Sequence, residues 1–305
     1  MNGNTGPRPG ARIGDYTLVR ELPARLTVLA FVAEHTMLPR AARLVVVHPA
    51  FANHPAASVQ MMREACIVEA LAHPAVPRLY ECGLTPDRRP WMAIEIIDGP
   101  TIEELAAEAP LSVGDVLAVL RDIAAILEHA HGRGVIHRGV RPDAIAVGEH
   151  GLQLTDWGDA VIADTLASPG EPLDGRGDIF ALGVVAHQVL APDQRRGPHA
   201  NAGLVALIDR MLARVPGDRP TAAEVRAEAD DLIDELLFPP PPVLAMTTMP
   251  AANDDDLDVP MEEVRLVDIS RDPPPVPRSI KWTPSPIEGV PVAIAPETST
   301  PRRKT

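Results

Sequence analysis

The sequence predicts an α+β protein of two lobes, a β-rich lobe followed by a helical lobe, and a disordered proline-rich tail. Residues 14–98 contain short runs of β-branched and apolar residues separated by turn residues, a pattern typical of strands. From Thr101 onward, apolar residues recur at helical spacing. At Phe238 the composition changes sharply, because a run of four prolines follows. The expected divisions are a disordered leader at 1–13, the first lobe at 14–98, the second lobe at 99–238 and the tail at 239–305.

The elements follow from periodicity and end signals. Strands are predicted at Tyr16–Arg20, Leu29–His35, Leu44–His48, Leu79–Gly83 and Trp91–Ile97, with a helix at Ala57–Ala72 between the third and fourth. In the second lobe, Ser112–Gly132 is the clearest helix, because an amphipathic apolar stripe lies between a favourable N-cap serine and a terminal glycine. The change from strands to helices places the junction of the lobes at about Ile97–Pro100.

Composition excludes several function classes. The formal net charge of −14 argues against general binding to nucleic acid or anionic membranes. No apolar run approaches the roughly 20 residues that span a bilayer, and the N-terminus lacks the apolar core of a signal peptide. We expect a cytoplasmic protein. The two cysteines, Cys66 and Cys82, are too few for a disulfide framework, and their apolar neighbours predict buried thiols.

Six short motifs occur in a fixed order along both lobes. They are Arg63-Glu64-Ala65, His73-Pro74-Ala75-Val76, the stretch 137–144 (HRGVRPDA), Asp156-Trp157-Gly158, the stretch 177–183 (GDIFALG) and the stretch 216–221 (PGDRPT). Together they resemble R-E-A, H-P-N-I, H-R-D-L-K-P-x-N, D-F-G, S-D-I-Y-S-L-G and P-x-x-R-P-T of the bacterial serine/threonine protein kinases. The resemblance spans residues 14–237 and implies a bilobal protein-kinase fold.

The resemblance places the glycine-rich loop, which covers the ATP phosphates in kinases, between the first two predicted strands. The three loop glycines fall on Pro23, Arg25 and Val28. Proline lacks a backbone N–H, and a β-branched side chain adds bulk where the backbone must approach the phosphates. The loop is therefore expected to be a poor phosphate cradle.

The lysine that holds the α- and β-phosphates in kinases falls on Val45, and the first lysine of the chain is Lys281. Glu64, which matches the helix glutamate, is thus left without that lysine. Arg43 lies two residues before Val45 and therefore on the same strand face. One hypothesis pairs Arg43 with Glu64 or with a nucleotide phosphate, and the alternative is a solvent-facing arginine. Glu95 completes the degenerate nucleotide-binding positions.

The catalytic loop has also lost its working groups. The aspartate that accepts the substrate proton falls on Gly139, the magnesium-binding asparagine on Ala144, and the loop lysine on Arg141, which keeps charge but changes geometry. Asp156 alone matches a metal ligand, and one carboxylate makes a weak magnesium site. The resemblance therefore implies no required cofactor, with weak ATP and magnesium binding as the alternative.

Residues with structural roles in the family are retained. They are His137, Arg138, Trp157, Val68, Asp178 and Arg219. His137, Trp157 and Val68 match members of the hydrophobic spine that links the lobes. Asp178 matches the aspartate that anchors the catalytic-loop backbone. Arg219 is expected in a structural ion pair, with Glu171 as its candidate partner.

These positions predict a pseudokinase that acts as a scaffold or allosteric regulator in phosphorylation signalling. The alternatives are an active ATP-using kinase and a decayed domain kept for its tail. The tail contains a P-x-x-P stretch at Pro273–Arg278, three Ser/Thr-Pro pairs and an acidic, apolar segment at Leu257–Ile269. These suggest protein partners, such as an active kinase or a reader of proline motifs, and a solvated linker is the alternative.

Overall fold

The computed structural model describes residues 6–149, 151–162, 174–195 and 201–238. Two lobes are present, as predicted, and they meet at the segment that follows the last strand of the first lobe. The predicted tail at 239–305 and the predicted partner Glu171 lie outside the described residues.

The first lobe is built on a six-stranded antiparallel sheet with the order β1-β2-β3-β4-β6-β5. The strands are β1 Arg12–Ile13, β2 Tyr16–Leu22, β3 Val28–His35, β4 Ala41–Val47, β5 Leu79–Leu84 and β6 Pro90–Ile94. All five predicted strands are found. The last one ends at Ile94 rather than Ile97, because Glu95 then bonds the Arg78 backbone through both its N–H and its carboxylate.

The prediction of a disordered leader at 1–13 is wrong for residues 6–13. Arg12–Ile13 pairs with β2, and the N–H of Gly10 donates to the Leu18 carbonyl at 2.7 Å. Ile13 is buried against Tyr16 and Trp91, so apolar burial holds this segment to the sheet.

Helix α1, Pro55–Leu71, packs on one face of the sheet. Alternating residues of the strands meet its inner side and form an apolar cluster. This cluster contains Ala30, Val45, Val47, Met61, Ala65, Met92 and Ile94. The position matched to the strand lysine is thus part of the apolar packing between sheet and helix.

The second lobe is helical. Its helices are α2 Ile102–Glu108, α3 Val113–His131, α4 Arg176–Val189, α5 Pro192–Arg195, α6 Ala202–Met211 and α7 Ala222–Leu237. Helix α3 begins where predicted, since the Ser112 hydroxyl accepts from the Asp115 N–H in a capping box. The apolar stripe of α3 is fully buried and packs along α7.

Two short antiparallel pairs pack against helices α2 and α3 of the second lobe and carry the loops of the candidate site. They are β7 Val135–Ile136 with β10 Val161–Ile162, and β8 Ile145–Gly148 with β9 Gly151–Leu154. The stretch 137–144 connects β7 to β8, and the stretch 155–160 connects β9 to β10.

The prediction of buried cysteines is wrong. Cys66 and Cys82 are both exposed, because Cys66 lies on the outer side of α1 and Cys82 lies on the edge strand β5. Among the helices of the described ranges, none combines the length and apolarity needed to cross a bilayer.

Candidate functional site

The candidate site is a cluster of charged side chains between α1, the β2–β3 loop and the loop after β9. Asp156 has left-handed backbone angles, with φ 60° and ψ 55°, which turn the chain sharply after β9. The neighbouring Trp157 is buried, and its indole N–H donates to the Leu154 carbonyl at 2.8 Å. The buried tryptophan fixes the loop, so the Asp156 carboxylate is held toward the cleft.

Arg25 occupies the centre of this cluster. Its Nη2 lies 2.9 Å from the Glu64 carboxylate and 3.6 Å from Asp156, and its Nη1 lies 3.5 Å from Asp159. The guanidinium lies directly over Gly158, where the Cβ atom of any other residue would collide with it. Arg25, in the β2–β3 loop, therefore supplies the cation that pairs with Glu64 of α1.

A second arginine holds the other side of Asp156. Arg141 forms an ion pair with the second oxygen of Asp156 and with Asp143, whose Oδ1 lies 2.7 Å from the Arg141 Nε. Both oxygens of Asp156 are thus engaged by guanidinium groups. Arg141, the predicted match of the loop lysine, therefore neutralises the carboxylate of the candidate metal ligand Asp156.

The environment shifts the pKa values of Glu64 and Asp156 in opposite directions. Burial raises the pKa of Glu64, and the charge of Arg25 only partly offsets that effect. Burial also acts to raise the pKa of Asp156, but the hydrogen bond from Arg141 and the charges of Arg25 and Arg141 outweigh it and hold the pKa below its usual range. Asp156 is therefore a firmly ionised carboxylate whose charge is already balanced.

Other nucleotide positions are filled by apolar packing. Val45 is buried, and Val28 packs against the same cluster between sheet and α1. Pro23 is exposed at the start of the β2–β3 loop. Glu95 is turned toward Arg78, from whose backbone N–H it accepts at 3.1 Å. None of these side chains is placed to hold a phosphate.

For Arg43, the predicted pairing with Glu64 and the solvent-facing alternative are both wrong, and the predicted contact with a nucleotide phosphate stays a prediction. It makes no ion pair within 4.0 Å of Glu64, whose partner is Arg25. It is not simply solvent-facing, since its Nε is buried without a hydrogen-bond partner among the described residues. Its charge nevertheless acts to lower the pKa of both Glu64 and Asp156, so it faces the same cluster from the sheet.

The stretch 137–144, predicted to match the catalytic loop, is held by backbone contacts and by the His137 ring. His137 is buried, its Nδ1 accepts from the Gly139 N–H at 3.1 Å, and its Nε2 lies 3.0 Å from the Thr155 carbonyl. Those partners require a neutral ring protonated at Nε2. Ala144 is buried, and its carbonyl accepts from the Thr155 N–H at 2.8 Å. Gly139 and Ala144, the predicted positions of the base and the asparagine, thus contribute backbone groups to this loop.

Asp178, on α4, anchors the backbone of this loop by hydrogen bonds. It is 1% exposed, and its carboxylate accepts from the N–H groups of His137 at 2.8 Å and Arg138 at 2.7 Å. The His131 ring lies 2.9 Å from the same carboxylate. Arg138 has a positive φ of 63°, a strained conformation that these bonds help to hold.

The remaining structural residues pack around this loop. The rings of His137 and Trp157 meet edge to face with centroids 4.4 Å apart, and Val68 belongs to the same apolar core as Trp157. The Arg219 guanidinium donates to three backbone carbonyls and lies over the Phe180 ring at 4.7 Å. Its predicted partner, Glu171, lies outside the described residues.

The donor set does not fit a magnesium–nucleotide complex. Magnesium in such sites takes one or two carboxylates together with substrate phosphates. Asp156 has both oxygens paired to arginines, and Ala144 has no side-chain oxygen. Within the described ranges, no group of three or more His, Cys, Asp or Glu residues is arranged to hold a metal ion.

Two members of the cluster were not anticipated from sequence. Gln60 donates to the Gly158 carbonyl at 2.9 Å, and Asp159 accepts from Arg25. Both carried a usable signal, because Gln60 lies one turn before Glu64 on α1 and Asp159 directly follows the Asp156-Trp157-Gly158 motif. The pairing of Arg25 with Glu64 across 39 positions had no such local signal.

Acid is expected to destabilise the chain through His137. Burial lowers the pKa of His137. Near pH 6.5 the imidazole therefore binds a proton in the unfolded chain but stays neutral in the folded chain. The free energy of unfolding should therefore fall as pH drops from about 7 to about 5.5. Urea unfolding of the parent and a His137→Phe variant at both pH values checks this, because the variant should lose less stability on acidification. Equal losses of stability in the two chains would show that His137 is not the source of the pH dependence. The lowered pKa of His73 contributes equally to both chains, so it cancels in the comparison.

Comparison with known proteins agrees with this architecture. Residues 39–172 match the family model of the protein kinase domain. The chain is 28% identical over 260 residues to the serine/threonine-protein kinase Pkn1 of Myxococcus xanthus, covering 77% of this chain and 37% of that protein. It is 30% identical over 236 residues to PknI of Mycobacterium tuberculosis, covering 69% of this chain and 40% of that protein. The chain thus spans about two fifths of the length of these curated relatives.

Solved structures show the same relationship. The crystal structure of the M. tuberculosis PknI kinase domain superposes with a TM-score of 0.60 at 27% identity, covering 76% of this chain and 99% of that domain. A second crystal structure of that domain gives a TM-score of 0.59 at 27% identity, covering 74% of this chain and 99% of the domain. The predicted bilobal protein-kinase fold is confirmed. The chain belongs to the bacterial serine/threonine protein-kinase family.

Proposed function

We propose that the chain is a pseudokinase that acts as a scaffold or allosteric regulator in serine/threonine phosphorylation signalling. The observation that carries the proposal is the placement of Arg25 between Glu64 and Asp156. In active kinases a strand lysine pairs with the helix glutamate and also holds ATP phosphates. Here an arginine of the chain completes the charge balance, so α1 is held in place without a nucleotide.

The loss of catalytic side chains supports the same proposal. Gly139 offers no group to accept a substrate proton, and Ala144 offers no magnesium ligand. In phosphoryl transfer, positioning and charge stabilisation provide nearly all of the rate enhancement. A chain that lacks the base, the strand lysine and the second metal ligand has lost these contributions together, and losses within one catalytic unit are not additive.

A second candidate function is phosphoryl transfer from ATP, since the relatives are named as serine/threonine-protein kinases. The observation that favours it is the pair of guanidinium groups, Arg25 and Arg141, beside an ionised Asp156. Arginine binds phosphate well, so a nucleotide that displaced the carboxylates would find two cations. This function requires the ion pairs to open.

Thermal unfolding with nucleotide separates the two functions. We expect millimolar ATP, with or without magnesium, to leave the melting temperature of the full chain unchanged. A ligand at about 100 times its dissociation constant would add about 2.7 kcal/mol to the free energy of unfolding. The matched control is Asp156→Asn, which removes the candidate metal ligand and should behave like the parent toward ATP.

Radiolabel transfer from ATP to a generic protein substrate completes the test. Absence of transfer with no thermal shift supports the pseudokinase. A shift without transfer describes a nucleotide-binding pseudokinase and keeps the regulatory proposal. A magnesium-dependent shift that Asp156→Asn abolishes, together with label transfer, would establish the enzyme and overturn the proposal.

A further inference from the structure

An apolar groove lies on the outer side of α1, away from the charged cluster. Its volume is about 500 Å³, and it runs between the outer face of α1 and the turn that joins β5 to β6. We define this α1 groove by Val59, Met62, Arg63, Cys66, Leu84 and Arg88. It faces outward from the first lobe, so a partner segment can enter it without opening the interlobe cleft.

The floor of the α1 groove exposes large apolar side chains side by side. Val59 is 54% exposed, Met62 is 40% exposed and Leu84 is 61% exposed. Single exposed apolar residues are ordinary on protein surfaces, but a contiguous group with a polar rim marks an interaction site. Helix α1 thus has an apolar inner face packed on the sheet and a second apolar strip left uncovered.

The rim of the groove is cationic. Arg63 and Arg88 line it, and neither side chain forms an ion pair or hydrogen bond within the described ranges. Two arginines without a partner among the described residues give this rim a positive charge in a chain of net charge −14. The groove therefore suits a ligand that is both apolar and acidic.

One segment of the same chain has this chemistry. Residues 254–269 contain seven acidic residues and one arginine, interleaved with apolar residues such as Leu257, Val259 and Met261. We propose that residues 254–269 dock in the α1 groove of their own chain, with apolar side chains on the strip and carboxylates on Arg63 and Arg88. The groove and the segment are complementary, because both are apolar and their charges are of opposite sign.

The chain length permits this contact. The described part ends at Phe238, and residues 239–253 connect it to Asp254. An extended chain advances about 3.3 Å per residue, which gives the connection a reach of about 50 Å. A domain of this size has a radius of gyration of about 17 Å and a diameter of about 45 Å. A fully extended connection is therefore about as long as the domain is wide, which permits the segment to reach the first lobe.

The tether favours the segment of the same chain over that of a second copy. Attachment by residues 239–253 gives the segment a local concentration that does not fall when the protein is diluted, unlike that of a second copy. Two copies that each carry a net charge of −14 also repel one another. The docking requires no nucleotide, so it can hold or fail independently of the proposed pseudokinase function.

The thiol of Cys66 reports occupancy of the groove. In a full-length Cys82→Ser chain, Cys66 is the only thiol, and we expect iodoacetamide to modify it slowly. Substituting Leu257, Val259 and Met261 by serine should speed the reaction by up to about tenfold, the change that corresponds to a parent groove about 90% occupied by the segment. The matched control substitutes Val290, Val292 and Ile294 by serine, which removes similar apolar area elsewhere in the tail and should leave the rate unchanged.

Three outcomes would overturn the proposal. Equal Cys66 rates in the parent and the 257/259/261 variant would show an open groove. Equal acceleration by both serine variants would show that any apolar loss in the tail has the effect. Protection that increases with protein concentration would assign the groove to the segment of a second copy. Unchanged melting temperatures across the variants exclude unfolding of the domain as the cause of faster labelling.

Discussion

Replacing Asp178 with alanine is expected to lower the free energy of unfolding by about 3–5 kcal/mol, the largest single effect that the site predicts. The carboxylate accepts from the backbone N–H groups of His137 and Arg138 while almost fully buried. Alanine would leave both donors buried without a partner, and each such group costs about 1–3 kcal/mol. For a domain of this size we expect the melting temperature to fall by about 10 °C.

Graded variants distinguish this mechanism from a simple loss of packing. Asp178→Asn keeps one acceptor oxygen but presents an amide N–H₂ to the other donor, so it should lose about half as much stability. The control, Asp209→Ala, removes an exposed aspartate on α6 and should change stability by less than about 0.5 kcal/mol. Chemical unfolding of the three variants measures the series. An Asp178→Ala chain as stable as the control would show that the loop does not depend on this anchor.

Replacing Arg25 with alanine is expected to destabilise the chain by about 1–3 kcal/mol near neutral pH, because Glu64 would remain as a buried charge without a partner. Glu64 is 7% exposed, and burial already raises its pKa with Arg25 present. Between the unfolded pKa and this raised folded pKa, the folded chain binds more protons, so the free energy of unfolding decreases as pH rises. Without Arg25 the folded pKa rises further. The loss should therefore be larger at about pH 8 than at about pH 5.

A double-mutant cycle isolates the ion pair. In a Glu64→Gln background, Arg25→Ala should cost less, and the difference measures the coupling between the two side chains. Arg25→Lys keeps the charge but loses the planar guanidinium that reaches Glu64, Asp156 and Asp159 together, so it should restore only part of the stability. Equal costs of Arg25→Ala in both backgrounds, at both pH values, would show that the pair contributes nothing.

Much of the architecture was predictable because it rests on local patterns. The helix predicted at Ser112–Gly132 is observed at Val113–His131, since a capping serine and a regular apolar stripe act within a few turns. The strand alternation that places Arg43 and Val45 on one face also holds, because side chains alternate regularly along a strand. The order of the kinase-like motifs was sufficient to predict the bilobal fold.

The exposure of Cys66 and Cys82 was mispredicted because it depends on tertiary structure and not on local sequence. Apolar neighbours in sequence do not say which side of α1 faces the sheet, or that β5 lies at the sheet edge. The order of strands in a sheet depends on crossovers between segments far apart in the chain. Local composition therefore carried no information on the exposure of either thiol.

The composition and motifs of this chain thus determined its fold class and its two lobes. They also led to the prediction that Val45, Gly139 and Ala144 replace the usual catalytic side chains. They did not determine the partner of Glu64, for which Arg43 was the nearest candidate on the expected strand. Only the folded hairpin brings Arg25 over Gly158 and between Glu64 and Asp156. An ion pair forms where distances and desolvation favour it, and those quantities exist only once the two lobes have packed.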